Sequence, residues 1–433
     1  MCRFTGHPLT DVGIAALAAF AGHHHPEQLT PDDLATAAAW LAENYVRGSA
    51  LGGLVEGMLV LNSGYFHGGR DAYIRRVLYS WLPDTPALDV ECSFCGQPAA
   101  YRANREDIPL LNGRAVINFS PAGQAGLPVC GVCSLAFHML PAGCFKSGKG
   151  LVAVHSDDPA LTLDFARQNV TRLRQALTLT VEKIPGLPHT QTRLAELLAG
   201  WLARLERRRS RPASLTAYFF SNSGVDPFIE IYRVDACALH FLEEVLHPAD
   251  LNVRDAWEGA VARAWVAQRK DGGDNAQRRN TLYEALLRLP HGMLDFLRRY
   301  LLPARCWGLV ETYLRKVMNV RESDITLLRE VGARLAEYAH YKNKFFYDFS
   351  RTNDYAQFRR VVLRAADDAA RGDGKALVTF DEFIALFTYR EDEFWNWRLA
   401  RDLITLLMIE ARAVPIDEAL FDDDLPADSP ERG

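Results

Sequence analysis

The chain has 433 residues, of which 48% are hydrophobic and 24% are charged, and its formal net charge is −5. This length exceeds one ordinary hydrophobic core, so several domains are expected. No apolar run approaches the roughly 18 residues of a membrane span, and the first residues lack the pattern of a secretion signal. The sequence therefore predicts a cytoplasmic protein without a membrane contact.

Helix-start signals recur in the first part of the chain. Thr10 or Asp11 is predicted to cap an alanine-rich helix that runs to Gly22, and Thr30 is predicted to cap a second helix. A later stretch, 62–69, combines glycines with polar and aromatic side chains. Because glycine lets a backbone approach a ligand closely, this loop is either a binding loop or an ordinary connection.

Four of the cysteines form two C-x2-C pairs, Cys92 with Cys95 and Cys130 with Cys133. Each pair holds two thiolates about one turn apart, and the loop between the pairs can fold back to complete a tetrahedron. The spacing predicts a structural zinc ion; two disulfides or four unrelated thiols are the alternatives. A short helix is expected over 135–140, and the cysteine usage suits a reducing compartment.

A glycine-rich turn with two lysines, Lys146 and Lys149, follows the second pair. Its G-x4-G-K spacing imitates a phosphate-binding loop, but Gly150 stands where Ser or Thr is needed, and a strand over 151–155 follows where a helix is needed. These departures argue against nucleotide hydrolysis. The two lysines remain candidate contacts to a phosphate backbone.

The remainder of the chain is predicted to be largely helical, with a short β element at 215–220 and 228–232. Two basic stretches stand out because they could track nucleic acid, although a solvated face is the alternative for each. The first is a basic helix end with Arg207, Arg208 and Arg209, and the second interleaves aromatic residues with Lys342, Lys344, Arg359 and Arg360.

The predicted fold class is therefore mainly α with a small α+β module like a zinc ribbon, in several domains. The predicted domains are an N-terminal helical part, a four-cysteine module with its Lys/Gly turn, a mainly helical middle domain, and a C-terminal helical bundle with an acidic tail from about residue 421. Their ranges are 1–90, 91–157, 158–317 and 318–433.

Motifs of common enzyme classes are missing from the sequence. It contains no nucleophile elbow, zincin helix, dinucleotide-binding fingerprint or complete phosphate-binding loop. Four thiolates around zinc would leave no open coordination position, so the metal could not activate water. We expect a protein that is not an enzyme.

The order of these landmarks resembles the CXXC-CXXC large subunit of type I-B CRISPR Cascade complexes. The matching features are Thr5-Gly6-His7-Pro8 with Asp11 and Gly13, the two cysteine pairs, the Lys146-Ser147-Gly148 turn leading to Ser156-Asp157, and the helical C-terminus. The resemblance covers most of the chain and is strongest over 1–157.

The resemblance implies a subunit of an RNA-guided surveillance complex. Such a subunit recognises the protospacer-adjacent motif in double-stranded DNA, helps to open the duplex and form the R-loop, and supports recruitment of a helicase-nuclease, while guide pairing reads the longer target. The implied partners are guide CRISPR RNA, target DNA, the backbone and guide-end-capping subunits, and small subunits that the C-terminal bundle itself resembles.

Nucleic-acid contacts follow from this resemblance. Asn62, Ser63, Lys146 and Lys149 are expected near the motif-reading end, Arg207, Arg208 and Arg209 on phosphates, and Lys342, Lys344, Arg359 and Arg360 along a strand. The alternative is a stand-alone zinc-ribbon regulator that binds DNA or RNA without a guide or partners.

Overall fold

The computed structural model describes most of the chain. The described residues are 2–45, 49–55, 69–105, 107–111, 123–148, 150–181, 184, 189–204, 213–222, 227–268, 277–372, 376–388 and 395–411. Six of the predicted nucleic-acid contacts lie outside these ranges, as does the acidic tail, so those expectations stay predictions. The six residues are Asn62, Ser63, Lys149, Arg207, Arg208 and Arg209.

The described residues are mainly helical with small antiparallel sheets, which confirms that part of the predicted fold class. By its internal contacts the chain divides into two compact units. Unit 1 is Met1–Leu194 with Arg211–Ala236, and unit 2 is Ala195–Ser210 with Cys237–Gly433. The predicted boundaries near residues 90, 157 and 317 stay predictions. No helix among the described residues is long and apolar enough to span a bilayer.

Unit 1 contains the first helices and most of the strands. Its helices are α1 (Pro8–Ala21), α2 (Pro31–Asn44), α3 (Ala50–Val55), α4 (Arg70–Tyr73) continued by a π-turn (Ile74–Leu78), α5 (Gly131–Gly143), α6 (Pro159–Thr178) and the start of α7 (Thr190–Leu202). Its strands are β1 (Tyr101–Ala103), β2 (Leu127–Val129), β3 (Phe145–Ser147), β4 (Gly150–Ser156), β5 (Leu215–Ser221) and β6 (Phe228–Val234).

Helix α1 is the centre of the unit 1 core. It packs against α5, α6 and β4, and its buried residues include four alanines and Gly13, which allow neighbouring backbones to come close. A Cβ added to Gly13 would lie 2.1 Å from the carbonyl oxygen of Ala136 on α5. The small residues therefore set the distance between α1 and α5.

The start of α1 differs from the prediction. The N-cap is His7, not Thr10 or Asp11, and its Nδ1 accepts a hydrogen bond from the Thr10 N–H at 3.3 Å. Asp11 lies inside the helix, and its carboxylate turns back to accept the backbone N–H of Thr5 at 2.6 Å. The prediction failed because the helix already begins at Pro8 and the Asp11 carboxylate is used on the backbone N–H groups of Thr5 and Gly6.

The strands β3 to β6 form one antiparallel sheet in sequence order. Strands β5 and β6 pair along their full lengths, from Leu215 opposite Val234 to Ser221 opposite Phe228, which confirms the predicted β element. Strand β4 replaces the helix that a phosphate-binding loop would need after the glycine-rich turn. The edge strand β3 carries Lys146.

Unit 2 holds the remaining elements. They are α8 (Ala236–Leu246), α9 (Leu251–Arg263), β7 (Trp265–Gln268), β8 (Gln277–Asn280), α10 (Thr281–Leu286), α11 (Met293–Phe296) continued by a π-turn (Leu297–Leu301) and a 3-10 turn (Leu302–Ala304), α12 (Trp307–Lys316), α13 (Glu322–Tyr341), α14 (Asn343–Ser350), α15 (Tyr355–Gly372), α16 (Phe380–Phe387) and α17 (Trp397–Glu410). Helix α17 packs against α13, α14 and α16 around buried aromatic rings such as Phe349 and Phe358.

Candidate metal centre

The four sulfur atoms of the two C-x2-C pairs come together in unit 1. Those of Cys92, Cys95, Cys130 and Cys133 all lie within 4.8 Å of one another, and Cys95 Sγ is 3.5 Å from Cys130 Sγ. All four thiols are free, so the alternative of two disulfides does not describe this structure. It is the only such group of possible metal ligands among the described residues.

The first pair lies on a short hairpin whose ends, Glu91 and Pro98, form an antiparallel bridge. Cys92 N–H donates to the Gln97 carbonyl at 2.7 Å, and Gly96 N–H donates back to the Cys92 carbonyl at 3.0 Å. Gly96 has a φ of 73°, which a residue with a side chain seldom adopts. Ser93 N–H then donates to the Pro128 carbonyl at 3.0 Å, so the turn is fastened to strand β2.

The second pair opens helix α5. Cys130 is the N-cap, and its sulfur accepts the backbone N–H of Cys133 at 3.4 Å. The predicted helix over 135–140 is therefore longer and begins at Gly131, inside the pair. Cys130 therefore lies at the positive end of the helix dipole, where a negatively charged ligand is favoured.

The four cysteines differ in the pKa of their thiols. Hydrogen bonds from Cys130, Cys133 and Cys95 hold the pKa of Cys92 far below its usual range. A hydrogen bond from Cys130 likewise lowers the pKa of Cys95, to about 7. Hydrogen bonds to the other three sulfurs raise the pKa of Cys133. A divalent cation bound by the four sulfurs would displace their protons.

The spacing of the sulfurs fits a tetrahedral metal site. Zinc–thiolate bonds of roughly 2.3 Å imply sulfur–sulfur edges of about 3.8 Å in a tetrahedron. The distance of 3.5 Å between Cys95 Sγ and Cys130 Sγ and the upper limit of 4.8 Å for the whole group lie on either side of this value. The four cysteines can therefore hold a metal ion such as zinc. Held by four thiolates, the ion would cross-link the two pairs and would have no position for a substrate.

Buried polar contacts stabilise the structure around the four cysteines. The hydroxyls of Tyr101 on β1 and Ser134 on α5 are 2.7 Å apart. The Arg76 guanidinium donates to the fully buried Asp107 carboxylate at 2.7 Å and lies 5.2 Å from the centre of the Tyr101 ring. The hydroxyl contact ties β1, which follows the first cysteine pair, to the helix that begins at the second pair.

The N-terminal motif contacts the same region. The His7 ring lies edge-on to Phe94, between the first two cysteines, with ring centres 4.9 Å apart. Phe94 in turn packs on Phe137 of α5. On the other side of the motif, His155 Nε2 is 3.3 Å from the buried Asp11 carboxylate. Residues 144 positions apart in the sequence, Asp11 and His155, therefore meet in one core.

The described nucleic-acid candidates are on two units. In unit 1, Lys146 is half-buried on β3. In unit 2, Lys342, Lys344, Arg359 and Arg360 are all exposed on α14, α15 and the turn before α14, and Lys342 Nζ lies 3.2 Å from Asp368. Their exposure leaves these four side chains accessible to a strand.

Sequence patterns did not indicate two arginines, Arg172 and Arg193, that line one cavity with Lys146. They come from α6 and α7, so no local periodicity connects them to the lysine.

No protein-family model, curated protein or solved structure matches the chain. Fold and site together define a mainly helical protein in which four clustered thiols can hold a metal ion.

Proposed function

We propose that the chain is a non-catalytic nucleic-acid-binding protein, the large subunit of a type I-B CRISPR Cascade complex, whose four thiolates hold a structural zinc ion. The observation that carries the proposal is the convergence of separate landmarks in unit 1. His7 packs on Phe94 between the first two cysteines, Asp11 pairs with His155 beside Ser156-Asp157, and the two cysteine pairs close on each other.

In this proposal the metal has a structural role. Zinc supplies a cross-link between the hairpin of the first pair and the N-terminus of α5, and the chain's own residues do the binding. The subunit reads a short motif in duplex DNA, helps to open it and supports recruitment of the helicase-nuclease, while guide pairing supplies the longer specificity. The helices from α13 to α17 form the bundle that resembles the small subunit.

Co-purification with guide RNA tests the proposal. The tagged chain is expressed with the other genes of its own locus, and RNA that remains bound after size-exclusion chromatography is sequenced. We expect repeat-derived RNA of uniform length together with partner proteins. The matched control is the tagged chain expressed alone, which should carry no such RNA and should bind DNA weakly.

The same preparation distinguishes the proposed Cascade subunit from the alternative, a stand-alone zinc regulator. A stand-alone zinc regulator would bind DNA or RNA tightly without partners, and adding them would leave its affinity unchanged. Recovery of the chain as a lone protein with tight DNA binding and no guide RNA would contradict the Cascade proposal.

A further inference from the structure

The surface of unit 2 carries an apolar groove of about 440 Å³ between α15 and α16. Leu363 on α15 and both Phe380 and Ile384 on α16 line it, and these three side chains are 54%, 77% and 44% exposed. Burying exposed apolar side chains is favourable, and several of them around one concavity are typical of a docking surface. The groove is therefore a candidate binding site for an apolar segment.

The groove also has positive charge beside it. Arg359 is the one charged side chain among its lining residues. Arg360 and Arg364 each follow a lining residue of α15 and so lie about 100° further round the helix, on the flank of the groove. All three arginines are exposed, and none forms a salt bridge within the described part of the chain. The two carboxylates of α15 are already in salt bridges, Asp367 with Arg371 and Asp368 with Lys342.

We propose that the chain's own C-terminal segment, residues 416–424, docks in this groove. The segment lies outside the described residues, and its sequence matches the groove in two respects. Ile416, Leu420 and Phe421 supply apolar side chains for the groove. The acidic residues between and after them supply the charge opposite to that of the arginines on α15. These acidic residues are Asp417, Glu418, Asp422, Asp423 and Asp424.

The end of α17 is close enough to the groove for this contact. A Cβ added to Gly332 on α13 would lie 2.5 Å from Leu407 Cδ1 on α17. Arg334, about 3 Å further along α13, donates to Glu382 in the first turn of α16 at 2.6 Å. The first turn of α16 and Leu407 therefore contact the same part of α13. Helix α17 ends at Glu410, and the six residues that follow can span up to about 20 Å.

A second copy of the chain or an acidic peptide of another protein would offer the groove similar chemistry. The chain's own segment is favoured because it is tethered. A short flexible tether holds a segment at an effective concentration in the millimolar range, and a free partner must reach that concentration to compete.

Docking has a consequence for nucleic-acid binding that rests on the proposed function. The docked segment covers Arg359 and Arg360, which are two of the predicted contacts to a strand. In a Cascade subunit the acidic segment and the strand therefore compete for α15. The docking itself does not depend on that function.

Binding of a fluorescent peptide with the sequence of residues 412–433 to the full-length protein tests the docking. The anchor variant, Leu420→Ser/Phe421→Ser, removes two apolar residues from the chain's own segment and should leave the groove open. We expect it to bind the peptide at least about tenfold more tightly than the original protein, whose own segment competes.

The groove variant adds Phe380→Ser/Ile384→Ser to the anchor variant and should weaken peptide binding at least about tenfold, because two apolar contacts are lost. The matched control adds Leu251→Ser instead, at a leucine on α9 that is 70% exposed, and should keep the affinity of the anchor variant. Thermal melting checks the fold of each variant. A peptide of scrambled sequence separates apolar docking from charge attraction and should bind more weakly.

Four results would overturn the proposal. They are no saturable binding of the peptide by the anchor variant, equal affinity in the folded groove variant, equal affinity for the scrambled peptide, and equal affinity of the original protein and the anchor variant. Sedimentation of the original protein examines the second copy as occupant. A dimer that Phe380→Ser/Ile384→Ser dissociates would assign the groove to a second copy and would also overturn the intrachain contact.

A separate measurement examines the competition with nucleic acid. The guide-loaded complex that contains the anchor variant should bind a single-stranded oligonucleotide more tightly than the original complex does. Equal affinities would overturn the competition, while the peptide measurements decide the docking. If no guide RNA co-purifies, the proposed function fails and the peptide measurements still decide the docking.

Discussion

The backbones of Gly131 and Trp81 are in direct contact. A Cβ added to Gly131 would lie 2.1 Å from the Trp81 amide nitrogen and 2.3 Å from the Ser80 carbonyl oxygen. Gly131 is the first residue of α5 and lies between the ligands of the second cysteine pair. The segment at 80–81 is thus in direct contact with the candidate metal centre, and no side chain fits between them.

The substitution Gly131→Ala should therefore destabilise unit 1. Its methyl group would overlap backbone atoms that cannot move independently, and such overpacking costs about 1–3 kcal/mol. Gly200→Ala is the matched control, because its nearest neighbour would be the Arg204 side chain at 3.6 Å. In the interior of a helix that change should stabilise by about 0.5–1 kcal/mol. Denaturant unfolding measures both, and equal stability of Gly131→Ala and the original protein would refute the steric argument.

Metal content tests the four-thiol cluster. Cys133→Ser removes one of four ligands from a buried position, so we expect loss of the single bound zinc equivalent, measured by elemental mass spectrometry. Hydrogen exchange should then rise first in the hairpin of the first pair and in the first turns of α5, because the cross-link between them is gone.

Cys306→Ser is the control for that experiment, since Cys306 lies outside the cluster and is free. It should keep the metal and the exchange pattern. Full metal retention by folded Cys133→Ser would show that the cluster does not bind zinc through all four thiolates.

Sequence patterns correctly predicted the features that depend on residues close together in the chain. The C-x2-C spacing identified four sulfurs that do converge, and Thr30 does cap its helix, with Asp33 completing a capping box. The steric need for glycine at Gly131 was not predictable in this form, because its partner segment at 80–81 is brought there by tertiary packing.

The cavity lined by Lys146 was even less predictable from the sequence. Lys146 had a local signal, a lysine on a glycine-rich turn, whereas Arg172 and Arg193 look like ordinary charges on amphipathic helices. Only the pairing of β3 in the sheet and the packing of α6 and α7 against it place the three together. The predicted capping residue of α1 was wrong for a different reason. The Asp11 carboxylate accepts a hydrogen bond from the Thr5 N–H and does not cap the helix.

Asp11 makes unit 1 sensitive to acid. Burial alone would raise its pKa, but hydrogen bonds from His155, Thr5 and Gly6 outweigh burial and hold the pKa below its ordinary value of 3.8. A carboxylate with a lowered folded-state pKa stabilises the protein above the unfolded pKa. That stability is lost as the pH falls from about 4 through the folded-state pKa.

Asp11→Asn should remove this dependence. At neutral pH we expect the variant to be less stable by about 1–3 kcal/mol, because buried donors on Thr5 and Gly6 lose a charged acceptor. Below pH 4 the difference should shrink. Asp33→Asn is the comparison at a half-buried carboxylate in the capping box of α2, where the cost should be about 1 kcal/mol or less. Urea unfolding at a series of pH values measures both, and a constant difference for Asp11→Asn across pH 3–7 would rule out the linkage.

The exposed cations of unit 2 can be tested by salt dependence. Lys344 lies in the first turn of α14 and is exposed, whereas Lys342 is already paired with Asp368 at 3.2 Å. If Lys344 contacts a phosphate of a single strand, Lys344→Gln should weaken binding for all sequences and flatten the slope of log K against log salt by about 0.7. Lys316→Gln, which removes a lysine paired with Glu244, should leave the slope unchanged. Fluorescence anisotropy of a labelled strand bound to the guide-loaded complex gives both slopes, and an unaltered slope for Lys344→Gln would exclude that residue from the nucleic-acid path.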